Sequence, residues 1–375
     1  MKNNIKNSFT GYIEGYYGKL LSWSQRRKII NKLYQTSLSF YLYAPKGDVF
    51  HRQNWRVNYS SQWLKSFQSF SNYSKKKNIS IIAGISPGLD ISFQKDKIEE
   101  EIILLAEKAN VFLQNGADEI AILFDDIPKN KTLDVFDLKT DGSYHAMFTN
   151  KLGQKLKKSI FVVPKIYALE LNHLDPLYID SFSKNIHTNH KIFFCGKNIV
   201  ARKKLDLSFL PKLKNKIIIW DNIFANDYCP KKLVIGPWKH REGIKNIMIN
   251  PTGLIETDLL ILDLISLQQK KVDPHLAWSH ICKKHNIPCQ IKNLEMFFDP
   301  YRINNEQFNP SKEDINQIIH SIDKLLWEWH SPLSREWYPY LFNLKQDMII
   351  AHKNPTKKNI FKTQTIPFSS WILKN

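Results

Sequence analysis

Cysteine is scarce in this chain: Cys195, Cys229, Cys282 and Cys289 are the only four among 375 residues. So few exclude a disulfide scaffold and fit a reducing compartment. No apolar run approaches the ~20 residues that a helix needs to span a bilayer. The opening residues, Met1-Lys-Asn-Asn-Ile-Lys-Asn-Ser-Phe9, carry positive charge with no apolar stretch behind it. No secretory signal is therefore expected, and the expected location is cytoplasmic. Acidic residues are also short in supply. Thirty-five Asp and Glu face 54 Lys and Arg, a formal net charge of +19. Such a charge attracts polyanions. The lysines are nevertheless scattered, and runs such as Ser74-Lys-Lys-Lys77 and Ala201-Arg-Lys-Lys204 read as solvated helix faces. No nucleic-acid-binding motif is present, so neither nucleic acid nor membrane is an expected partner.

One local cluster, His280, Cys282, His285 and Cys289, has the composition of a zinc site. Its four groups would have to converge on one tetrahedral point. On the helix expected over residues 278–286, Cys282 and His285 share a face while His280 points elsewhere. An ordinary helix end is the simpler reading, and no metal or cofactor is expected.

The chain is 43% hydrophobic and 13% aromatic, enough to bury a sizeable core. Short β-branched or aromatic runs alternate with amphipathic stretches, the pattern of βα units on a parallel sheet. Strands are expected at residues 10–14, 39–43, 79–85, 119–124, 160–164, 191–195, 216–220 and 245–249. Helices are expected at 24–35, 61–78, 97–115, 144–157 and 257–269, whereas 224–238 is too short and too rich in Pro and Gly for a full helix. Eight strands over about 250 residues match a (β/α)8 TIM barrel, with an open sheet of fewer strands as the alternative. From residue 270 the strand signals stop. Helices at 315–329 and 334–351, with a loop at 304–311 before them, predict a helical appendage over 270–375, ending in a low-order tail after His352. Its Trp327, Trp329 and Trp337 can be read as a sugar-stacking platform or, more simply, as packing.

Catalytic groups of such a barrel sit at the C-terminal ends of its strands. In order, those ends read Gly11-Tyr-Ile-Glu-Gly-Tyr-Tyr-Gly18, Tyr43-Ala-Pro-Lys46, Phe124-Asp-Asp-Ile127, Pro164-Lys-Ile-Tyr167, Trp220-Asp-Asn-Ile-Phe-Ala-Asn-Asp227 and Asn250-Pro251. Carboxylates, amides, tyrosines and one lysine around one mouth suit a polyhydroxylated ligand. Asp125 and Asp126 are the sharpest feature. Like charges this close cannot both ionise easily, and an acid beside a base is what glycoside cleavage requires. Taken alone, the pair also reads as a metal-binding pair or a helix cap.

These motifs, together with Tyr41-Leu-Tyr-Ala-Pro-Lys46 and Ile85-Ser-Pro-Gly-Leu-Asp90, stand in the order found in glycoside hydrolase family 84, the O-GlcNAcases and related β-N-acetylglucosaminidases. The chain resembles that family from Gly11 to Pro251. The resemblance implies substrate-assisted catalysis, in which the substrate's own 2-acetamido oxygen attacks the anomeric carbon and an oxazoline forms. Asp125 would hold and polarise the acetamido N–H; Asp126 would be the general acid/base. Gly15 would offer its carbonyl to the sugar. Lys46 and Asn222 would bond ring hydroxyls or the acetamido group, and Asp227 and Asn250 the outer hydroxyls. Tyr167 would bond the acetamido oxygen, with Tyr17 and Trp220 walling its pocket.

The sequence departs from the family where Cys-Pro-Thr-Glu-Tyr is usual: here it is Val163-Pro-Lys-Ile-Tyr167. Tyr167 is kept, but Lys165 and Ile166 replace its usual Thr-Glu support, and Val163 replaces a pocket cysteine. Lys46-Gly47-Asp48 likewise stands for Lys-Asp-Asp. The expected activity is that of a retaining exo-β-N-acetylglucosaminidase acting on a β-N-acetylglucosaminide, such as an O-GlcNAc-modified protein. The alternatives are an endo-acting hyaluronidase and a non-catalytic sugar-binding scaffold. The helical appendage offers a surface for a homodimer.

Overall fold

The structure, a computed structural model, describes residues 8–94, 96–127, 140–205, 213, 215–229, 231–302 and 311–353. They form two compact units: Met1–Ile223 with Gly243–Asn250, and Phe224–Glu242 with Pro251–Asn375.

The first unit is a closed barrel of eight parallel strands in sequence order: β1 (Thr10–Glu14), β2 (Phe40–Tyr43), β3 (Ser80–Ile85), β4 (Glu119–Leu123), β5 (Phe161–Val163), β6 (Lys191–Phe194), β7 (Lys216–Asp221) and β8 (Ile247–Ile249). Closure comes from β8, whose Ile247, Met248 and Ile249 pair with Thr10, Gly11 and Tyr12. That pairing removes the open-sheet alternative. Alternate strand residues, Ile13, Leu42, Ile82, Leu123, Phe193, Ile218 and Met248 among them, gather in one core. The other residues face the helices, so both faces are buried and the strands read as nearly continuous apolar runs.

Helices α1 (Trp23–Gln35), α2 (Ser61–Lys76), α3 (Ile98–Gln114), α4 (Asp141–Leu156) and α5 (Tyr178–Asn185) follow their strands. A capping side chain fixes the starts of α1, α2 and α4. Ser22 caps α1 in a reciprocal box with Gln25, each side chain meeting the other's backbone N–H. Helix α4 begins three residues before its expected start, because Thr140 accepts from Ser143 N–H at the cap. Glu14, fully buried at the end of β1, accepts two bonds from Arg26 of α1 at 2.9 and 2.7 Å, and one from Tyr41. The carboxylate in the first motif is thereby committed to holding α1, which leaves the chemistry to other groups.

The second unit holds α6 (Ile255–Gln269), α7 (Pro274–Lys284), α8 (Glu295–Phe298), α9 (Lys312–Trp327) and α10 (Pro332–Lys353). No helix occurs among the described residues of 224–238, as expected from their composition. The sequence places α6 with the barrel segment, but it groups with this unit. The reason is local: the Thr257 hydroxyl of α6 accepts from the Trp337 indole at 2.8 Å and donates to Glu336 at 2.9 Å. Trp337 is fully buried and Trp329 nearly so, which makes both packing residues, whereas Trp327 is exposed. His285 Nε2 lies 2.8 Å from Asp263 Oδ2. The loop expected at 304–311, except its last residue, and the tail from residue 354 lie outside the described residues. Among the described residues no helix is long and apolar enough to cross a membrane.

Candidate active site

The ladder of β4 continues one step beyond Leu123, where Phe124 N–H donates to Val163 O at 2.9 Å. The chain then turns through Asp125 and Asp126, and the two carboxylates enter different surroundings. Asp125 is buried, and its Oδ2 accepts from Lys46 Nζ at 2.5 Å. Lys46 is brought there by the Ala44-Pro45 turn after β2 and by its own N–H on Tyr16 O at 3.3 Å. The ammonium offsets a charge that would otherwise be costly to bury. Asp125 Oδ1 is buried and has no hydrogen-bond partner among the described residues.

Asp126 is exposed and adopts φ +54°, in the left-handed region. A non-glycine residue there costs about 1–2 kcal/mol, so the surroundings must hold it. Three groups do. Arg52 Nη2 donates to the Asp126 carbonyl at 2.7 Å, Tyr17 OH to Oδ2 at 2.9 Å, and Tyr167 OH to Oδ1 at 2.9 Å. Desolvation and then the Asp126 charge push both phenols above their ordinary range, so they stay protonated and remain donors. His51, next to Arg52, is fully buried with Nδ1 on Gly84 O at 2.9 Å. Burial first, and Lys46 second, lower its pKa to about 3, so it adds no charge beneath the pair.

A second cluster joins strands one, seven and eight. Gly15 packs so closely on Trp220 that a Cβ would sit 2.4 Å from its Cζ2. Gly15 N–H donates to Asn250 Oδ1 at 3.2 Å, and Asn250 Nδ2 donates to Asn222 Oδ1 at 2.9 Å. Asn222 Oδ1 also accepts from the Trp220 indole at 2.9 Å, and its Nδ2 donates to Ile199 O at 3.1 Å. The Asn222 amide is thus saturated by protein, and a sugar hydroxyl would have to displace one of these bonds.

Of the ten residues expected at the site, nine lie in the barrel unit. Hydrogen bonds join Lys46 to Asp125, Tyr17 and Tyr167 to Asp126, and Gly15, Asn250, Asn222 and Trp220 in one chain. Asp227 belongs to the second unit, where its Oδ1 accepts from Tyr228 N–H at 3.0 Å. Tyr17, expected as a pocket wall, is half exposed and spends its hydroxyl on Asp126. At the departures, Val163 and Ile166 are buried, Tyr167 O accepts from Cys195 N–H at 2.8 Å, and Lys165 pairs with Asp141. Arg52 and Asp141 were not anticipated. An arginine in a loop reads as surface charge, and an acid in a first helical turn reads as a capping preference.

A closed eight-stranded barrel with an unequal carboxylate pair, phenols and amides beyond its strand ends has the layout of the barrel glycoside hydrolases. Residues 10–298 match the family described as beta-N-acetylglucosaminidase, and the chain belongs to that family, glycoside hydrolase family 84. Protein O-GlcNAcase of Mus musculus and that of Rattus norvegicus are each 29% identical to it over 277 residues, which is 69% of this chain. The chain spans only 30% of the length of those relatives. An O-GlcNAc hydrolase mutant of Thermobaculum terrenum superposes with a TM-score of 0.72 at 23% identity, over 94% of this chain and 86% of that one. CpGH84B gives the same TM-score at 18% identity, over 98% of this chain and 72% of that one. These two likenesses establish the shared fold.

Proposed function

We propose that the chain is a retaining exo-β-N-acetylglucosaminidase working by substrate assistance, with O-GlcNAc-modified protein as its substrate class. One observation carries the reading: the unequal partners of the two carboxylates. Asp125 is buried on Lys46 and keeps Oδ1 for a donor, which suits a group that receives the acetamido N–H and draws the acetamido oxygen onto the anomeric carbon. Asp126 is exposed, so its proton can reach solvent and the leaving group. In the first step the acetamido oxygen bonds to the anomeric carbon as the glycosidic C–O bond breaks, and Asp126 gives its proton to the leaving oxygen. In the second, Asp126 takes a proton from water, whose oxygen opens the oxazoline. Two displacements at one carbon retain configuration, and no separate enzymic nucleophile is used.

Tyr167 would leave Asp126 for the acetamido oxygen. Gly15, Tyr17, Lys46, Trp220, Asn222 and Asn250 complete the sugar site in this reading. The substrate class is supported by the curated relatives' name, and an intracellular location by the scarcity of cysteine and the burial of Cys195 and Cys229.

Turnover of an aryl β-N-acetylglucosaminide by wild type, Asp125→Ala and Asp126→Ala tests the assignment. Each change should lower kcat by about 10²–10⁴-fold, the span of a general acid/base. With a dinitrophenyl leaving group, which needs no proton, Asp126→Ala should recover much of its first step and Asp125→Ala should not. Wild-type turnover by both variants would sink the proposal.

A further inference from the structure

The family's usual Thr-Glu support beside the strand-five tyrosine is missing here, and a different device stands in its place. Lys165 Nζ donates to Asp141 Oδ2 at 2.6 Å, with side chains only 6% and 1% exposed. A buried ion pair returns little net stability after desolvation, but it does fix geometry. Asp141 opens α4, and His145 lies one turn further along the same face. Lys165 is held at its backbone as well, since its N–H donates to Tyr178 OH at 3.0 Å.

Tyr178 OH in turn lies 2.8 Å from His145 Nδ1. Burial, and secondarily the Lys165 charge, keep His145 neutral, so one hydrogen bond links its Nδ1 to Tyr178 OH, with the donor set by the tautomer. The His145 ring lies flat on Phe124, with centroids 3.9 Å apart and planes within 3°. Phe124 directly precedes Asp125 and Asp126. At the other end, Tyr167 follows Lys165 by two residues and donates to Asp126 Oδ1 at 2.9 Å. The contacts therefore close a ring from the carboxylate pair through Phe124, His145, Tyr178, Lys165 and Tyr167 back to Asp126. The Lys165–Asp141 pair braces that ring to α4.

We infer that Lys165 and Asp141 are positioning residues that aim the Tyr167 hydroxyl at the reacting group, in place of the family's Thr-Glu pair. The inference rests on the glycosidase reading for its kinetic consequence, but not for its structural one. Removing the ammonium releases the segment that carries Tyr167, and a misplacement of about 1 Å at such a group can cost on the order of 10²-fold in rate.

The test uses the full chain as wild type, Lys165→Met, Asp141→Asn, Tyr167→Phe and the double variants that combine each of the first two with Tyr167→Phe. On an aryl β-N-acetylglucosaminide, Lys165→Met should lower kcat about 10–10²-fold with KM little changed. In the Tyr167→Phe background the same change should cost almost nothing more, because both act through one hydroxyl. Additive losses would overturn the inference.

A second readout needs no turnover: with ¹³Cζ-labelled tyrosine, the Tyr167 resonance is identified by its loss in Tyr167→Phe. It should shift in Lys165→Met and in Asp141→Asn. An unmoved resonance overturns the positioning role even if the protein proves inactive, whereas a shifted resonance without any wild-type turnover counts against the glycosidase reading alone. Should circular dichroism show Lys165→Met unfolded, Asp141→Asn, which keeps shape and an acceptor oxygen, decides both readouts.

Discussion

Arg52→Ala separates the proposed proton donor, Asp126, from the group that holds it in place. Arg52 reaches the Asp126 carbonyl at 2.7 Å, and Asp126 sits at φ +54°. A hydrogen bond from a charged donor contributes about 1.5–3 kcal/mol, comparable to the ~1–2 kcal/mol that the left-handed backbone costs. Without the guanidinium, the turn has little reason to keep that conformation, and the carboxylate swings with it. If the whole of that bond is felt in the transition state, the loss converts at about 1.36 kcal/mol per tenfold to roughly 10–10²-fold in kcat. The assay is steady-state hydrolysis of two aryl β-N-acetylglucosaminides, one with a poor leaving group and one with dinitrophenol. The deficit should be large for the first and shrink for the second, since Arg52 holds the residue proposed to protonate the leaving oxygen. Arg52→Lys, which keeps charge but not the planar fork, should fall between. Equal deficits on both substrates, or none on either, would refute the reasoning.

Gly15→Ala should overpack the barrel mouth, because its Cβ would meet Trp220 Cζ2 at 2.4 Å and Ile13 Cγ2 at 2.9 Å. A loss of about 1–3 kcal/mol in denaturant unfolding is expected, with weaker substrate binding as Trp220 and Asn222 shift. Buried His51 has its pKa lowered from 6.5 to about 3, and His190 to about 4. Between those values and 6.5 the unfolded chain binds more protons, so their contribution to stability is full above pH 6.5 and drains as pH falls. Each costs up to about 1.4 kcal/mol per pH unit, and His51→Gln should flatten the slope of unfolding free energy against pH. Trp337→Ala should destabilise the helical unit by about 3–5 kcal/mol, read by thermal unfolding, since it deletes a fully buried indole and its bond to Thr257.

The barrel was legible because each strand is buried on both faces, so runs such as Ile81 to Ile85 stand out against the helical stretches between them. The pair at Asp125 and Asp126 was legible from its place after β4. What their neighbours would do was not. Lys46 reads as a sugar contact, and the sequence does not show that its ammonium also pairs with Asp125, a partner 79 residues away. Asn222 reads as a binding amide, and its bonds with Trp220, Asn250 and Ile199 are hidden in the sequence because those partners converge only when the barrel closes. The helix boundary at α4 depended on one hydroxyl, that of Thr140. Assignment of α6 to the helical unit depended on a shared Thr257 hydroxyl, which no periodicity records.

Fluorination of the substrate's N-acetyl group tests substrate assistance most directly. Each added fluorine withdraws electrons from the carbonyl oxygen that is proposed to attack. Across aryl glucosaminides carrying acetyl, fluoroacetyl, difluoroacetyl and trifluoroacetyl groups, kcat/KM should fall steeply and monotonically, with the β-anomer as the first product seen by proton NMR. A flat series would mean that the acetamido oxygen is not the nucleophile, and would contradict the division of labour between Asp125 and Asp126.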